Sequence, residues 1–466
     1  MTSTWRSLRL GALATASLLM LGACANLAPE QQSPAAPVAA QFPGASATRA
    51  TNAAAAPLDW TAYYQDQRLR KLIELALQNN RDLRVALLNV EQARAQARIT
   101  AASQLPTVGA GFSASRQPDS TGKNVNNFQA GLQISAYELD LFGKLRNNSD
   151  AATARYLASA EGARAAQISL IGAVAAAQFS LQADEELLAL ARQTLVSRED
   201  SHRLTRLRFD QGAASSLELA SAQSALEAAR AALAQAQRQR DQDENALVLL
   251  IAQPLPADLP PAQGLNAQAL SDIAAGLPSE VLVQRPDVLQ AEQQLRAANA
   301  NIGAARAAFF PAITLTSNVG TASSELSGLF KNTVWTFASQ ALMPIFDAGR
   351  NEANLTAAKA ARDIAVAQYE KSIQSAFREV ADALSARSTL AEQARAQDAQ
   401  AAAEAERLRL VELRFANGAS SSLELLDAQR ASFAARQAAL QVRLAALQSG
   451  VQLYKALGGG VASAIR

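Results

Sequence analysis

The chain has 466 residues, enough for two or three ordinary domains, and its formal charge of +2 excludes a nucleic-acid binder driven by a basic field. Hydrophobic residues make up 49% of it but aromatics only 5%, so the apolar content is mostly Ala and Leu, the composition of long helices rather than a β-sandwich. One His and one Cys are too few for a metal centre or a Cys/His nucleophile, so neither a catalytic site, a metal nor a dissociable cofactor is expected.

Residues 1–23 read as a targeting segment to be set aside before the fold is considered. Arg6 and Arg9 make a basic start, and LGALATASLLML follows as an apolar run too short to span a bilayer. The next residues, LGAC at 21–24, resemble the lipobox of bacterial lipoproteins, in which a Leu and two small residues precede the Cys that receives lipid. That resemblance implies Cys24 as the mature N-terminus, carrying diacylglycerol on sulfur and an acyl chain on its amine. By the same resemblance to lipoproteins, Ala25 rather than an Asp implies sorting to the outer membrane. Residues 24–57, rich in Ala, Pro, Ser and Gln, read as a lipidated tether without a core.

From here the chain states one plan twice. RFDQGAASSLEL begins at Arg208 and RFANGASSSLEL at Arg414, 206 positions apart. Between 203–223 and 409–429, fourteen of 21 residues are identical. The same offset, within one residue, relates NRDL (80–83) to RPDV (285–288) and LPTVGAGFS (from Leu105) to FPAITLTSN (from Phe310). This is a tandem duplication: repeat 1 at 58–252, repeat 2 at 276–452, a Pro-rich linker at 253–275 and a C-terminal tail at 453–466.

Each repeat opens with a helix, roughly 69–103 and 286–308. Two strands follow in each, at 106–116 and 127–138, then at 311–320 and 333–344. They alternate apolar and polar residues: Val108, Ala110, Phe112 and Ala114 share one face of the first strand. Phe128, Ala130, Leu132, Ile134 and Ala136 share one face of the second. About ten residues is the length of a tilted transmembrane strand. Four such strands cannot close a barrel, and open edges in lipid leave backbone groups unsatisfied at several kcal/mol each. Strands of several chains must therefore be pooled, giving eight from two chains or twelve from three.

A helix of about 65 residues then runs from Lys144 to Arg208, with Leu170, Val174, Ala177, Leu181, Leu188, Ala191 and Leu195 at coiled-coil spacing and Asp184 as a charged intruder. At 1.5 Å per residue it is roughly 100 Å long. His202, in a charged stretch of it, reads as a solvated side chain. The duplicated phrase ends this helix and starts another. Gly212 and Gly418 can take the left-handed conformation that stops a helix. Ser215 and Ser421 then serve as N-caps, with Glu218 and Glu424 completing capping boxes. Each phrase is thus a hairpin tip, near 209–215 and 415–421.

Together, the lipobox, the duplicated strand–strand–hairpin units, YELDLFGK (137–144), RPDVLQAEQQLRAANANIGAARAAFFPAITLT (285–316), RFANGASSSLELLDAQRASF (414–433) and YKALGGG (454–460) resemble the outer-membrane efflux proteins of the TolC/OprM type, in their lipoprotein branch. The resemblance implies an α+β membrane protein. Three chains share a 12-stranded transmembrane β-barrel continuous with a periplasmic α-helical coiled-coil barrel. It implies the exit duct of a tripartite pump, working with a periplasmic adaptor and an inner-membrane transporter of the RND type. Gly212, Ser215, Gly418 and Ser421 would dock the adaptor. Leu423, Asp427 and Arg430 would form the periplasmic gate; repeat 1 has Leu217, Ser221 and Ser224 at the matching places. A duct for type I protein secretion is the alternative within transport. A periplasmic adaptor would have one hairpin rather than two, and a non-channel coiled-coil lipoprotein would conduct no ions.

Overall fold

The computed structural model describes residues 26–30, 34–42, 59–268, 270–271 and 279–459. The targeting segment, Cys24 and most of the tether lie outside the described residues. The principal elements are α1 (Trp60–Tyr63), α2 (Gln67–Asn79), α3 (Arg81–Ala102), β1 (Val108–Pro118), β2 (Asn124–Leu139), α4 (Lys144–Asp210) and α5 (Ser216–Ile251). The second series is α6 (Pro286–Ala307), β3 (Ala312–Ser323), β4 (Thr333–Leu342), α7 (Arg350–Ala416) and α8 (Ser422–Ala456). They divide into two units. One holds 88–161 and 289–371 with the described residues up to Ala36; the other holds 37–87, 162–288 and the chain from 372 onward.

The first unit contains a four-stranded antiparallel sheet in the order β1-β2-β3-β4. Residues directly opposite one another share a face. Phe112 therefore lies beside Ala130, Leu132 beside Val319, and Val319 beside Trp335. Phe112, Leu132, Val319, Trp335 and Phe337 are all exposed. The opposite face carries Gln129, Gln133, Asn318, Thr336 and Gln340. Gly131 pairs with Gly320 across the β2–β3 ladder, where a Cβ on either would strike the backbone of the other strand. Both β1 and β4 pair along one side only, so the sheet has two free edges.

One feature departs from strict alternation. The β2–β3 register slips between Ile134 and Tyr137, with Ala136 at φ 51°. Beyond the slip, Tyr137 and Leu139 stand opposite Leu315 and Ile313. Ala136 thus leaves the apolar set expected from the sequence, because one bulge residue reverses the phase of every later side chain.

Each strand pair ends in a turn that launches a long helix. Gly143 (φ 73°) precedes α4, and Gly349 (φ 81°) precedes α7. Asp140 accepts the Arg146 N–H at 2.7 Å, and Asp347 accepts those of Gly349 and Asn351 at 3.1 and 3.0 Å. These carboxylates satisfy amides that a helix start leaves unpaired. Phe142 and Phe310 stack beside these turns, with ring centroids 4.6 Å apart.

The second unit has the larger core, built on Tyr63, Tyr64, Leu72, Ile171, Phe179 and Tyr454. Tyr63 stacks on Tyr454 at 4.9 Å and donates its hydroxyl to the Gly450 carbonyl at 2.8 Å. Burial pushes the Tyr63 phenol up to about 12. The 453–466 tail expected from the sequence therefore begins inside the core: α8 runs to Ala456, and Leu453, Tyr454 and Ala456 are buried. The tether also departs from expectation. Phe42 is 3% exposed and stacks on Phe377 at 4.9 Å, since a large aromatic gains more from burial than a Pro/Ala segment loses in freedom.

The single helix expected at 69–103 is two, separated at Asn80. This side chain accepts the Leu83 N–H at 2.9 Å and donates to the Leu250 carbonyl at 2.9 Å, which competes with helix continuation. In the RPDV motif, Arg285 is 5% exposed and binds Asp287 at 2.7 Å, Glu379 at 2.8 Å and the Ala456 carbonyl at 2.6 Å. The described part of the linker is docked as well. Pro260 accepts from Arg68 at 3.0 Å, and the Leu265 N–H donates to Glu186 at 2.8 Å.

In α4, Leu170, Val174, Leu181, Leu188 and Ala191 are buried, while Ala177 and Leu195 are half-buried. The intruder Asp184 is half-buried and lies beside Asp243 of α5. Burial and this acidic neighbour push it up to about 7.

Candidate functional site at the hairpin tips

Both tips lie in the second unit. At the first, Gly212 takes φ 72° and the Ala213 N–H donates back to the Arg208 carbonyl at 2.7 Å. At the second, Gly418 takes φ 71° and the Ala419 N–H donates to the Arg414 carbonyl at 2.8 Å. A residue with a Cβ is strained at this φ, so the glycines are the stop signals of the two long helices.

The restarts differ. Ser215 accepts the Glu218 N–H at 3.2 Å while the Ser215 N–H donates to the Glu218 carboxylate at 2.8 Å, a complete capping box. Ser421 accepts the Glu424 N–H at 3.1 Å, but the Glu424 carboxylate turns instead to Arg414, at 3.1 Å, and Ser420. The reciprocal box expected at the second tip is thus only half made, because a guanidinium outcompetes an amide for the carboxylate. Glu218 joins the tips: its carboxylate also accepts the Ser422 hydroxyl at 2.8 Å. The Ser215 amide first, then Ser422, hold it below the usual carboxylate range. Arg208 lies over the Phe415 ring at 5.7 Å.

The sequence placed Leu423, Asp427 and Arg430 on one face of α8. Leu423 is 71% exposed, and Arg430 binds Asp427 at 2.8 Å. The sequence reading missed Arg407 of α7, which reaches across the hairpin to Asp427 at 2.7 Å and also binds Glu404 at 3.2 Å. Hydrogen bonds from Arg407, then Arg430, hold the Asp427 carboxyl below its ordinary range. The signal for Arg407 was present: Arg407 and Asp427 stand eleven and nine residues from Gly418, so the hairpin folds them together. The face of α8 that bears Leu423, Asp427 and Arg430 lines a groove with Ser221 and Ser224 of α5, the repeat 1 counterparts of Asp427 and Arg430. His202, expected in solvent, is half-buried with its Nε2 enclosed.

No group of three or more His, Cys, Asp or Glu with metal-binding geometry occurs among the described residues. The tips and the helix turns behind them present an exposed leucine, an aspartate held by two arginines and turns fixed by glycine.

Membrane-length strands with one apolar face and two free edges, each pair leading into a long helical hairpin, define a subunit of a membrane channel. A family model described as outer membrane efflux protein matches residues 72–253 and again 277–459. The antibiotic efflux pump outer membrane protein ArpC of Pseudomonas putida is 46% identical over 453 residues, covering 95% of this chain and 93% of its own. The outer membrane protein OprJ of Pseudomonas aeruginosa is 45% identical over 452 residues, covering 95% and 94%. Among solved structures, the open state of the MtrE outer membrane channel of Neisseria gonorrhoeae is 41% identical, with a TM-score of 0.86 over 94% of this chain and 99% of that one. The chain belongs to the outer membrane efflux protein family.

Proposed function

We propose that this protein is the outer-membrane exit duct of a tripartite efflux pump and works as a homotrimer. The observation that carries the reading is the four-stranded sheet with two free edges and membrane-length strands. In lipid those edges must be paired, and a copy of the same chain supplies the complementary edge. Three copies give twelve strands with the apolar face to lipid and the Gln, Asn and Thr face to a water-filled lumen. ArpC is named an antibiotic efflux pump protein, which supports small-molecule cargo over a secreted polypeptide.

The duct performs no covalent chemistry. A periplasmic adaptor grips the tips at Gly212, Ser215, Gly418 and Ser421, and an inner-membrane transporter of the RND type supplies the energy. Cys24 carries the lipid anchor. Leu423, Asp427 and Arg430 form the periplasmic gate, with Arg407 as its second cation. Three leucines brought together on an axis exclude water, and three latched Asp–Arg sets hold the helices inward.

The test is single-channel conductance of the purified protein in planar bilayers, with cysteines on the β1 and β4 edges to trap neighbouring copies. A conducting species that cross-links to a three-chain ladder is the expected result. A folded protein that neither conducts nor cross-links edge to edge would overturn the reading.

A further inference from the structure

The groove beside the latch contains a buried charge that has no carboxylate partner among the described residues. It encloses about 630 Å³ between α4, α5 and α8. Its α5 wall is largely alanine, and Leu426 and Phe433 of α8 face it. Arg198 of α4 also lines it and is 7% exposed. Its guanidinium donates to the Gln429 side-chain oxygen at 2.6 Å and to the Leu426 carbonyl at 3.5 Å, and it forms no ion pair among the described residues. Burial first, then the nearby charge of Arg430, weaken its hold on the proton. The one carboxylate lining the groove, Asp427, is already bound by Arg407 and Arg430.

A buried cation without a counter-ion is a large desolvation debt, and neutral amide and carbonyl dipoles offset only part of it. Guanidinium groups bind carboxylate and sulfonate oxygens strongly, often through two parallel hydrogen bonds. Apolar walls with a few convergent polar groups are the usual form of a small-molecule site. We propose that this groove binds small organic anions with an apolar body. The acidic group lies against Arg198 and Arg430, and the body lies along the alanine wall and Phe433. The site stands on the groove and its charges alone. Its effect on the latch, where a bound anion competes with Asp427 for Arg430, rests on the gate reading above.

The experiment is isothermal titration calorimetry of the full-length protein in lipid nanodiscs, with empty nanodiscs as the reference. The probes are 4-phenylbutyrate and its uncharged analogue 4-phenylbutanol. Saturable binding of phenylbutyrate is expected, at least tenfold tighter than phenylbutanol. Arg198→Gln should weaken it at least tenfold, and Arg198→Lys less. Ser224→Glu, at an exposed groove position, supplies an internal carboxylate and should also abolish binding. If Arg198→Gln fails to assemble, Ser224→Glu decides. Equal binding of the two probes, no binding of either, or unchanged phenylbutyrate binding in Ser224→Glu overturns the proposal. Because no current is read, this outcome is separate from whether the protein conducts.

Discussion

The two hairpin tips are nearly the same in sequence and backbone, yet they have different surroundings. Gly212 and Gly418 differ by one degree in φ, and both Ser215 and Ser421 cap the helix that follows. Among the positions where their return helices diverge, Ser221 and Ser224 in repeat 1 stand opposite Asp427 and Arg430 in repeat 2. On the long helices, Ser201 becomes Arg407 and Arg198 becomes Glu404. The shared residues fix a turn, and the divergent ones place an ion-paired cluster of Asp427, Arg407 and Arg430 behind the second turn only. Duplication thus kept the scaffold and let the charges specialise.

The strongest way to break this comparison is to remove the latch from the second tip. Asp427→Ala or Arg407→Ala should raise single-channel conductance several-fold, whereas Ser221→Ala and Ser224→Ala should leave it unchanged. Equal effects at both tips would show that the charges do not distinguish them. Acid tests the same contact. The depressed Asp427 carboxyl keeps its charge, and the latch, above the ordinary carboxylate range near pH 4. The stabilisation is lost as pH falls through that lowered value, so conductance should rise only in strong acid.

Next in size is the backbone of the tips. Gly212→Val and Gly418→Val place a β-branched residue in the left-handed region, at a cost of about 1–2 kcal/mol each. Both should lower the melting temperature and reduce cross-linking to an adaptor by similar amounts, because the turn is common to both repeats. Normal cross-linking in either variant would remove that tip from the docking surface.

The Asp184–Asp243 contact sharpens the comparison away from the tips, since the equivalent of Asp184 in repeat 2 is Leu390. Asp184 binds its proton more tightly in the folded chain than in the unfolded one. Stability should therefore fall as pH rises from about 4 towards 7, and the penalty should be complete above that. Asp184→Asn should melt higher than wild type at pH 8 and no higher at pH 4, by thermal denaturation at each pH. The smallest effect belongs to the caps. Ser215→Ala and Ser421→Ala should each cost about 1 kcal/mol by chemical denaturation, the first more because its box is complete.

Much of this was legible in the residues. Period-two alternation marked all four strands, and the Gly–Ser–Glu spacing marked both tips, because these are local patterns that act within a few residues. The bulge at Ala136 was not legible, since nothing in FQAGLQISAY distinguishes one apolar residue from the next as the place where β3 forces a change of phase. Nor was the break at Asn80, which depends on a carbonyl 170 residues away.

Gln223 and Gln429 show where local information ends. They are the same residue at the same place in the repeat. Gln223 is exposed and bonds Glu227 one turn along its own helix. Gln429 is 7% exposed and bonds Arg198, Ser197 and Ser201 of another helix. By itself, the sequence determined the duplicated plan, the membrane-length strands, the two turns and the face that carries Leu423, Asp427 and Arg430. Tertiary structure alone decided that Asp427 has two cations, that Arg198 is buried without a carboxylate partner among the described residues, and that the second capping box stays half made. The physical reason is that propensity, periodicity and capping act between near neighbours in the chain, whereas burial and charge pairing depend on which distant helices are packed together.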